Sequence, residues 1–210
     1  MTLLEELRQA VVDGQAKAAA AKVSEGLEQG IPAATLLHDG LISAMTHVGQ
    51  LYESGEFYVP EMLVAARAMT EALTLLKPQL ISDGVEAAGT VAIGTVKGDL
   101  HDIGKNLVSM MLEGAGYEIV DLGTDVRPEQ FVQAIRNGAN VAAMSALLTT
   151  TMVNMKENIA AITAAGLRDK ARIIVGGAPI TAEFAEAIGA DGYAPDASSA
   201  VRLVQKLAAA

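Results

Sequence analysis

Thr90-Val91-Ala92-Ile93-Gly94-Thr95-Val96-Lys97-Gly98-Asp99-Leu100-His101-Asp102-Ile103-Gly104 decides how the carboxyl-terminal part of this chain is read. Its first seven residues are apolar and rich in β-branched types, the signature of a buried strand. From Ile103 onward the apolar residues Ile103, Leu107, Met110 and Met111 recur at helical spacing, which predicts a helix over about 103–115. His101 therefore belongs to a loop at the carboxyl end of a first strand, the edge at which open α/β sheets bind ligands. Asp99 stands two residues before it, and an imidazole that ligates a metal needs such a partner for its other N–H.

The same texture continues outward. Further strands are expected at 117–121, 140–145, 171–175 and 191–194, and further helices at about 128–137, 150–165, 181–188 and 197–208. Five strand–helix units predict an α/β, flavodoxin-like, doubly wound parallel sheet of five strands covered on both faces. The usual order for such a sheet is 2-1-3-4-5, with its crevice between strands 1 and 3. Ser145-Ala146-Leu147-Leu148-Thr149 follows strand 3 and Gly176-Gly177 follows strand 4, so both fall on the edge that carries His101. Each signal has an ordinary explanation: a loop histidine caps or pairs locally, hydroxyls such as Ser145 and Thr149 cap helices, and Gly-Gly makes a tight turn. Their placement together points to one ligand large enough to touch them all.

Residues 1–80 read as a four-helix bundle. Thr2 caps a helix through Val12, and an Ala-rich helix runs from Gln15 to Glu28. A third helix follows Pro32 to about Tyr52, with a stripe of Leu37, Leu41, Met45 and Val48. A fourth opens at Pro60 and is expected to stop before Pro78. Residues 81–89 lack a period and are expected to be a linker and hinge, leaving 90–210 as the ligand-binding domain. His38 and His47, nine residues apart on the third helix, lack the spacing of a helical metal pair.

Composition removes several classes of function. The formal net charge is −10, from 15 Lys and Arg against 25 Asp and Glu, and no basic patch interrupts it, so no nucleic-acid partner is expected. There is no cysteine, which removes disulfides, thiolate metal sites and thiol nucleophiles together. The first seven residues carry acids in place of a basic, then apolar, leader, and no apolar run reaches the length of a membrane span. The expectation is a cytoplasmic chain that does not meet a membrane.

Asp99, His101 and Gly104, then Ser145 and Leu147 about 40 residues on, then Gly176 and Gly177 about 30 further, form a pattern that closely resembles the corrinoid proteins of cobalamin-dependent methyltransferase systems. It is similar as well to the cobalamin-binding module of methionine synthase. The resemblance covers nearly the whole chain, without departure from the pattern. It implies that His101 is the lower axial ligand of cobalt, displacing the cofactor's own base. Asp99 would bond the other imidazole nitrogen, and Thr151 would extend that relay. Asp102, Gly104, Ser145, Leu147, Thr149, Gly176 and Gly177 would contact the cofactor or line the slot for its displaced tail, while Tyr52, Val59 and Met62 would lie where the cap covers the corrin.

The function so implied is that of a corrinoid methyl carrier, a subunit that does not catalyse alone. It would accept a methyl group on cob(I)alamin, or a related corrinoid, from a substrate-specific methyltransferase. It would then deliver that group from methylcob(III)alamin to a second methyltransferase with a tetrahydrofolate or thiol acceptor, and a reductive activation protein would be a further partner. Three other readings share parts of the pattern: a cobalamin-dependent photoreceptor or regulator, a radical mutase small subunit, and a flavodoxin-like receiver or flavin protein. The first wants a basic DNA-binding segment that is not seen here. The second lacks such a cap, and the third would not take up cobalamin.

Overall fold

The computed structural model describes residues 1–208, and its chain divides into two units. Met1–Ala87 with Glu113–Gly116 form the first, and Ala88–Leu112 with the chain from Tyr117 form the second.

In the helical unit, α1 (Leu3–Val12) begins at Thr2, whose hydroxyl accepts from the Glu5 amide while the Glu5 carboxylate accepts from the Thr2 amide. This reciprocal cap satisfies two amides that a helix start leaves without partners. α2 (Ala16–Glu28) packs along α5 (Val59–Ser82), and alanines on both faces, Ala19 on one and Ala65, Ala66 and Ala72 on the other, are fully buried. The expected third helix is a composite of a short turn α3 (Ala33–Thr35), a π-helical stretch (Leu36–Ile42) and α4 (Ser43–Glu53). The wider π turn carries Gly40 against Leu7, where an added Cβ would stand 2.6 Å from a Leu7 methyl. The stripe of Leu37, Leu41, Met45 and Val48 is buried as expected.

Helix α5 does not stop before Pro78 but runs through it to Ser82. Proline removes one amide from the ladder, yet Leu76 and Leu80 on either side of it are buried, and packing holds the last turns helical. The helix closes where Gly84 turns with φ +68° and the Val85 amide donates to Leu80. Residues 81 and 82, expected in the linker, are thus helical.

The second unit is an all-parallel sheet of β1 (Thr90–Thr95), β2 (Glu118–Asp121), β3 (Val141–Ser145), β4 (Arg172–Gly176) and β5 (Gly192–Ala194) in the order β2-β1-β3-β4-β5. The connecting helices are α6 (Ile103–Gly114), α7 (Pro128–Arg136), α8 (Asn154–Ala164), α9 (Ala182–Ile188) and α10 (Ala197–Ala208). β1 and β3 are apolar along almost their whole length because helices cover both faces. Right-handed crossovers put α6 and α10 on one face and α7 to α9 on the other, where Phe131, Met144, Met155 and Ile173 belong to one buried core. β1 leads to one side and β3 to the other, so their carboxyl ends mark the switch point. Thr95, Ser145, Gly176 and Ala194 lie in one row across that edge.

α8 begins at Asn154, four residues later than the expected start at 150. The intervening chain turns instead, with the Thr151 and Met152 amides donating to Leu148. This keeps Thr151 out of the helix and directs its side chain at the loop after β1.

Candidate functional site

The loop after β1 turns at Gly98, which has φ +79°, and buries Asp99 completely. Both carboxylate oxygens of Asp99 are used. Oδ1 accepts from the His101 amide at 3.1 Å and faces His101 Nδ1 at 3.0 Å. Oδ2 accepts from the Leu147 amide at 2.8 Å and from the Thr151 hydroxyl at 2.7 Å. Burial alone would raise the pKa of this carboxyl, but the four hydrogen bonds outweigh it and hold the group well below the usual carboxylate range.

An ionised carboxylate only accepts, so Nδ1 of His101 carries a proton, and in a ring with one proton Nε2 keeps its lone pair. The ring is 56% exposed and stands over the sheet edge. Its backbone is held as well, because the Thr95 hydroxyl donates to the His101 carbonyl at 2.7 Å. The result is a single imidazole donor with fixed tautomer and fixed position. Among the described residues no group of three or more His, Asp or Glu side chains could hold a metal ion. One nitrogen donor without companions fits a metal that brings its remaining ligands in a macrocycle.

The surroundings fit a large flat group. A Cβ on Gly104 would meet no atom within 4 Å, so nothing in the fold itself asks for glycine there, and the open space is what a bound group would fill. At Gly177 a Cβ would stand 1.9 Å from the Ala146 carbonyl oxygen, with φ +126°, so the loops after β3 and β4 meet backbone to backbone. Leu100 and Ile103 flank His101 and are 74% and 78% exposed, and Leu147, Leu148 and Val153 are exposed on the loop after β3. Apolar side chains presented to water around one polar donor mark a binding surface.

Of the residues singled out from the sequence, Asp99, His101, Leu147 and Thr151 are brought together by hydrogen bonds. Ser145 and Gly176 pair across the sheet, Gly177 adjoins Ala146, and Thr149 is exposed on the turn before α8. Asp102 is exposed and its Oδ2 accepts from the Asn106 side chain at 3.2 Å. In the helical unit Val59 is 39% exposed at the start of α5 and Tyr52 is half-buried near the end of α4. Met62, expected beside them, is fully buried, whereas Tyr58, not singled out, is 67% exposed.

Sequence reasoning passed over Leu100, Ile103, Thr95, Lys105 and Asp125. Two apolar residues flanking a loop histidine were the signal for the first two. The Lys105 ammonium, almost wholly buried, donates to both oxygens of Asp121 at 2.6 and 2.7 Å and to Asn106, tying α6 to the end of β2.

A flavodoxin-like sheet with a buried carboxylate–imidazole pair at its switch point and an apolar rim defines a cofactor-binding protein of the cobalamin type. The B12 binding domain family matches residues 89–202, and a second B12 binding domain family matches residues 3–77. A corrinoid protein of Desulfitobacterium hafniense strain Y51 is 39% identical, with 99% of this chain and 98% of that protein covered. Dimethylamine corrinoid protein 1 of Methanosarcina mazei is 40% identical over 98% of this chain and 95% of its own. The crystal structure of the methanol:cobalamin methyltransferase complex MtaBC from Methanosarcina barkeri superposes with a TM-score of 0.88 at 28% identity, covering 99% of this chain and 80% of that one. The chain belongs to the B12-binding corrinoid proteins, and its cofactor is a cobalamin or related corrinoid. No helix among the described residues is long and apolar enough to cross a membrane.

Proposed function

We propose that this protein is a methyl carrier: it receives a methyl group from a substrate-specific methyltransferase and presents it to a second methyltransferase whose acceptor is a tetrahydrofolate or a thiol. The buried Asp99 carboxylate, 3.0 Å from His101 Nδ1 on a ring whose other nitrogen has no such partner among the described residues, is the observation that carries this reading. The corrinoid, when bound, supplies a cobalt centre on which the methyl group is carried.

His101 would hold that centre through Nε2, while Asp99 and Thr151 stabilise the proton-bearing side of its ring. Nε2 would be either a donor to the metal or a site for a proton, so ligation and protonation at that atom would compete. Gly104, Ser145, Gly176 and Gly177 would line the slot for the tail of the cofactor, and the exposed Leu100, Ile103 and Leu147 would exclude water from its contact with the loop. Substrate choice rests with the methyltransferases. The relatives named dimethylamine and trimethylamine corrinoid proteins, and the likeness to MtaBC, support this division of labour.

Replacing His101 with alanine tests the reading. The variant should take up added cobalamin about tenfold more weakly and show the visible spectrum of a cofactor without protein imidazole. A spectrum and a rate of methylation by the partner that both match wild type would reject the assignment.

Gly104→Ala separates fold from ligand. The site offers open space and a helical backbone, so the cofactor-free variant should be as stable as wild type or gain up to about 1 kcal/mol. Cobalamin uptake should fall nonetheless, which urea unfolding and spectral titration measured on one preparation will show.

A further inference from the structure

Asp125 is the only described residue other than glycine with a positive φ, at +54°. It stands in the loop after β2, a strand that supplies none of the residues assigned above to the cofactor. The left-handed region is sterically disfavoured for side chains, least so for Asn and Asp, and a non-glycine residue held there in an exposed loop calls for a reason.

The reason is visible in its bonds. Asp125 Oδ1 accepts from the Gly98 amide at 2.7 Å, and the Asp125 amide donates to the Asp99 carbonyl at 3.0 Å. One residue thus grips the turn that buries Asp99 by the peptide units on either side of the Gly98–Asp99 bond. Its neighbours run in step with β1: the Thr95 amide donates to the Gly123 carbonyl, the Val126 amide donates to the Thr95 carbonyl, and Val96 and Val126 form a parallel bridge. On the other side of the turn the Asn154 side chain donates to the Lys97 carbonyl at 2.7 Å. The Asp99 carboxylate is fully engaged with His101, Leu147 and Thr151, so it has no capacity left to fix its own backbone.

We infer that Asp125 is a positioning residue for the loop of Asp99 and His101, its left-handed backbone and its carboxylate together setting the turn that presents the imidazole. The inference deepens the carrier reading and rests on His101 being the cobalt ligand, but the brace itself is a property of the cofactor-free chain.

Three variants of the full chain separate backbone from side chain. Asp125→Asn keeps both the left-handed preference and an acceptor for Gly98, Asp125→Gly keeps only the backbone, and Asp125→Ala keeps neither. Amide hydrogen exchange of the cofactor-free proteins is read at His101 and Leu147, whose N–H groups bond Asp99 and are not touched by Asp125. Exchange at both should rise about tenfold in the glycine variant, more in the alanine variant, and return to wild type in the asparagine variant, with the amides of β3 and β4 unchanged. After reconstitution with cobalamin, the fraction showing the imidazole-ligated spectrum should fall and recover in the same order.

Unchanged exchange at His101 and Leu147 in the glycine variant would overturn the inference. So would an equal rise throughout the sheet, which is general destabilisation. Should wild type itself give the spectrum of His101→Ala, the carrier reading fails while the exchange data still decide the brace.

Discussion

Gly177→Ala should be the most damaging single-methyl change in the sheet unit, costing about 4 kcal/mol or more and abolishing cofactor uptake. The added Cβ would stand 1.9 Å from the Ala146 carbonyl oxygen and 2.9 Å from its carbon. Backbone atoms of a neighbouring loop cannot rotate aside as a side-chain end can. The glycine also has φ +126°, a region that side chains rarely enter, so the strain persists even after the loops part. Relief requires the ends of β3 and β4 to separate, which breaks the Ala146 amide bond to Gly176 and displaces Leu147, whose amide anchors Asp99. Gly176→Ala is the control. Its Cβ would lie 2.9 Å from the Ala194 carbonyl oxygen with an ordinary φ, so a smaller loss is expected. Urea unfolding of the two cofactor-free variants beside wild type measures the difference, and equal midpoints would show that the loops yield more easily than their geometry implies.

The sheet was readable because its strands are short apolar runs rich in β-branched residues, and that pattern reports burial on both faces whatever the details of packing. The strand order followed from alternating strands and helices, and the site from the edge on which Asp99, His101, Ser145 and Gly177 had to fall. What escaped the pattern depends on contacts distant in sequence. Pro78 reads as a stop because local chemistry disfavours it, yet buried Leu76 and Leu80 carry α5 past it. Thr151 reads as an early residue of α8, but a partner 52 positions away, the Asp99 carboxylate, draws it into a turn. Asp125 looks like any solvated loop acid until its backbone angle and its bond to Gly98 are seen. The π-helical stretch at Leu36–Ile42 likewise answers to the packing of Gly40 on Leu7 and leaves the apolar stripe unaltered.

Loss of the Asp99 carboxylate should weaken both the fold and the cofactor site, with a dependence on pH that identifies it. Asp99→Ala leaves the Leu147 and His101 amides without their acceptor and the Thr151 hydroxyl with the Leu148 carbonyl alone, a cost of about 3 kcal/mol, and frees the imidazole to choose its tautomer. Asp99→Asn keeps one acceptor oxygen but replaces the other with an NH2, which opposes whichever donors face it, so about 1–3 kcal/mol is expected at neutral pH. The sign of the pH effect follows from the lowered folded-state pKa. A carboxyl whose folded pKa lies below its unfolded value of about 3.9 contributes stability that is fully present above that pH and is lost as pH falls toward the folded value. The advantage of wild type over Asp99→Asn should therefore be constant from pH 7 to about 5 and shrink below about pH 4, as wild type alone takes up that proton on unfolding. Unfolding in urea at a series of pH values, with both proteins side by side, removes the contribution of the other acids. A difference that stays level down to pH 3, or that grows, would mean that Asp99 does not carry its charge in the folded chain. The tautomer assigned to His101 would fall with it, because a protonated carboxyl can donate to Nδ1 and move the imidazole proton to the nitrogen meant for cobalt.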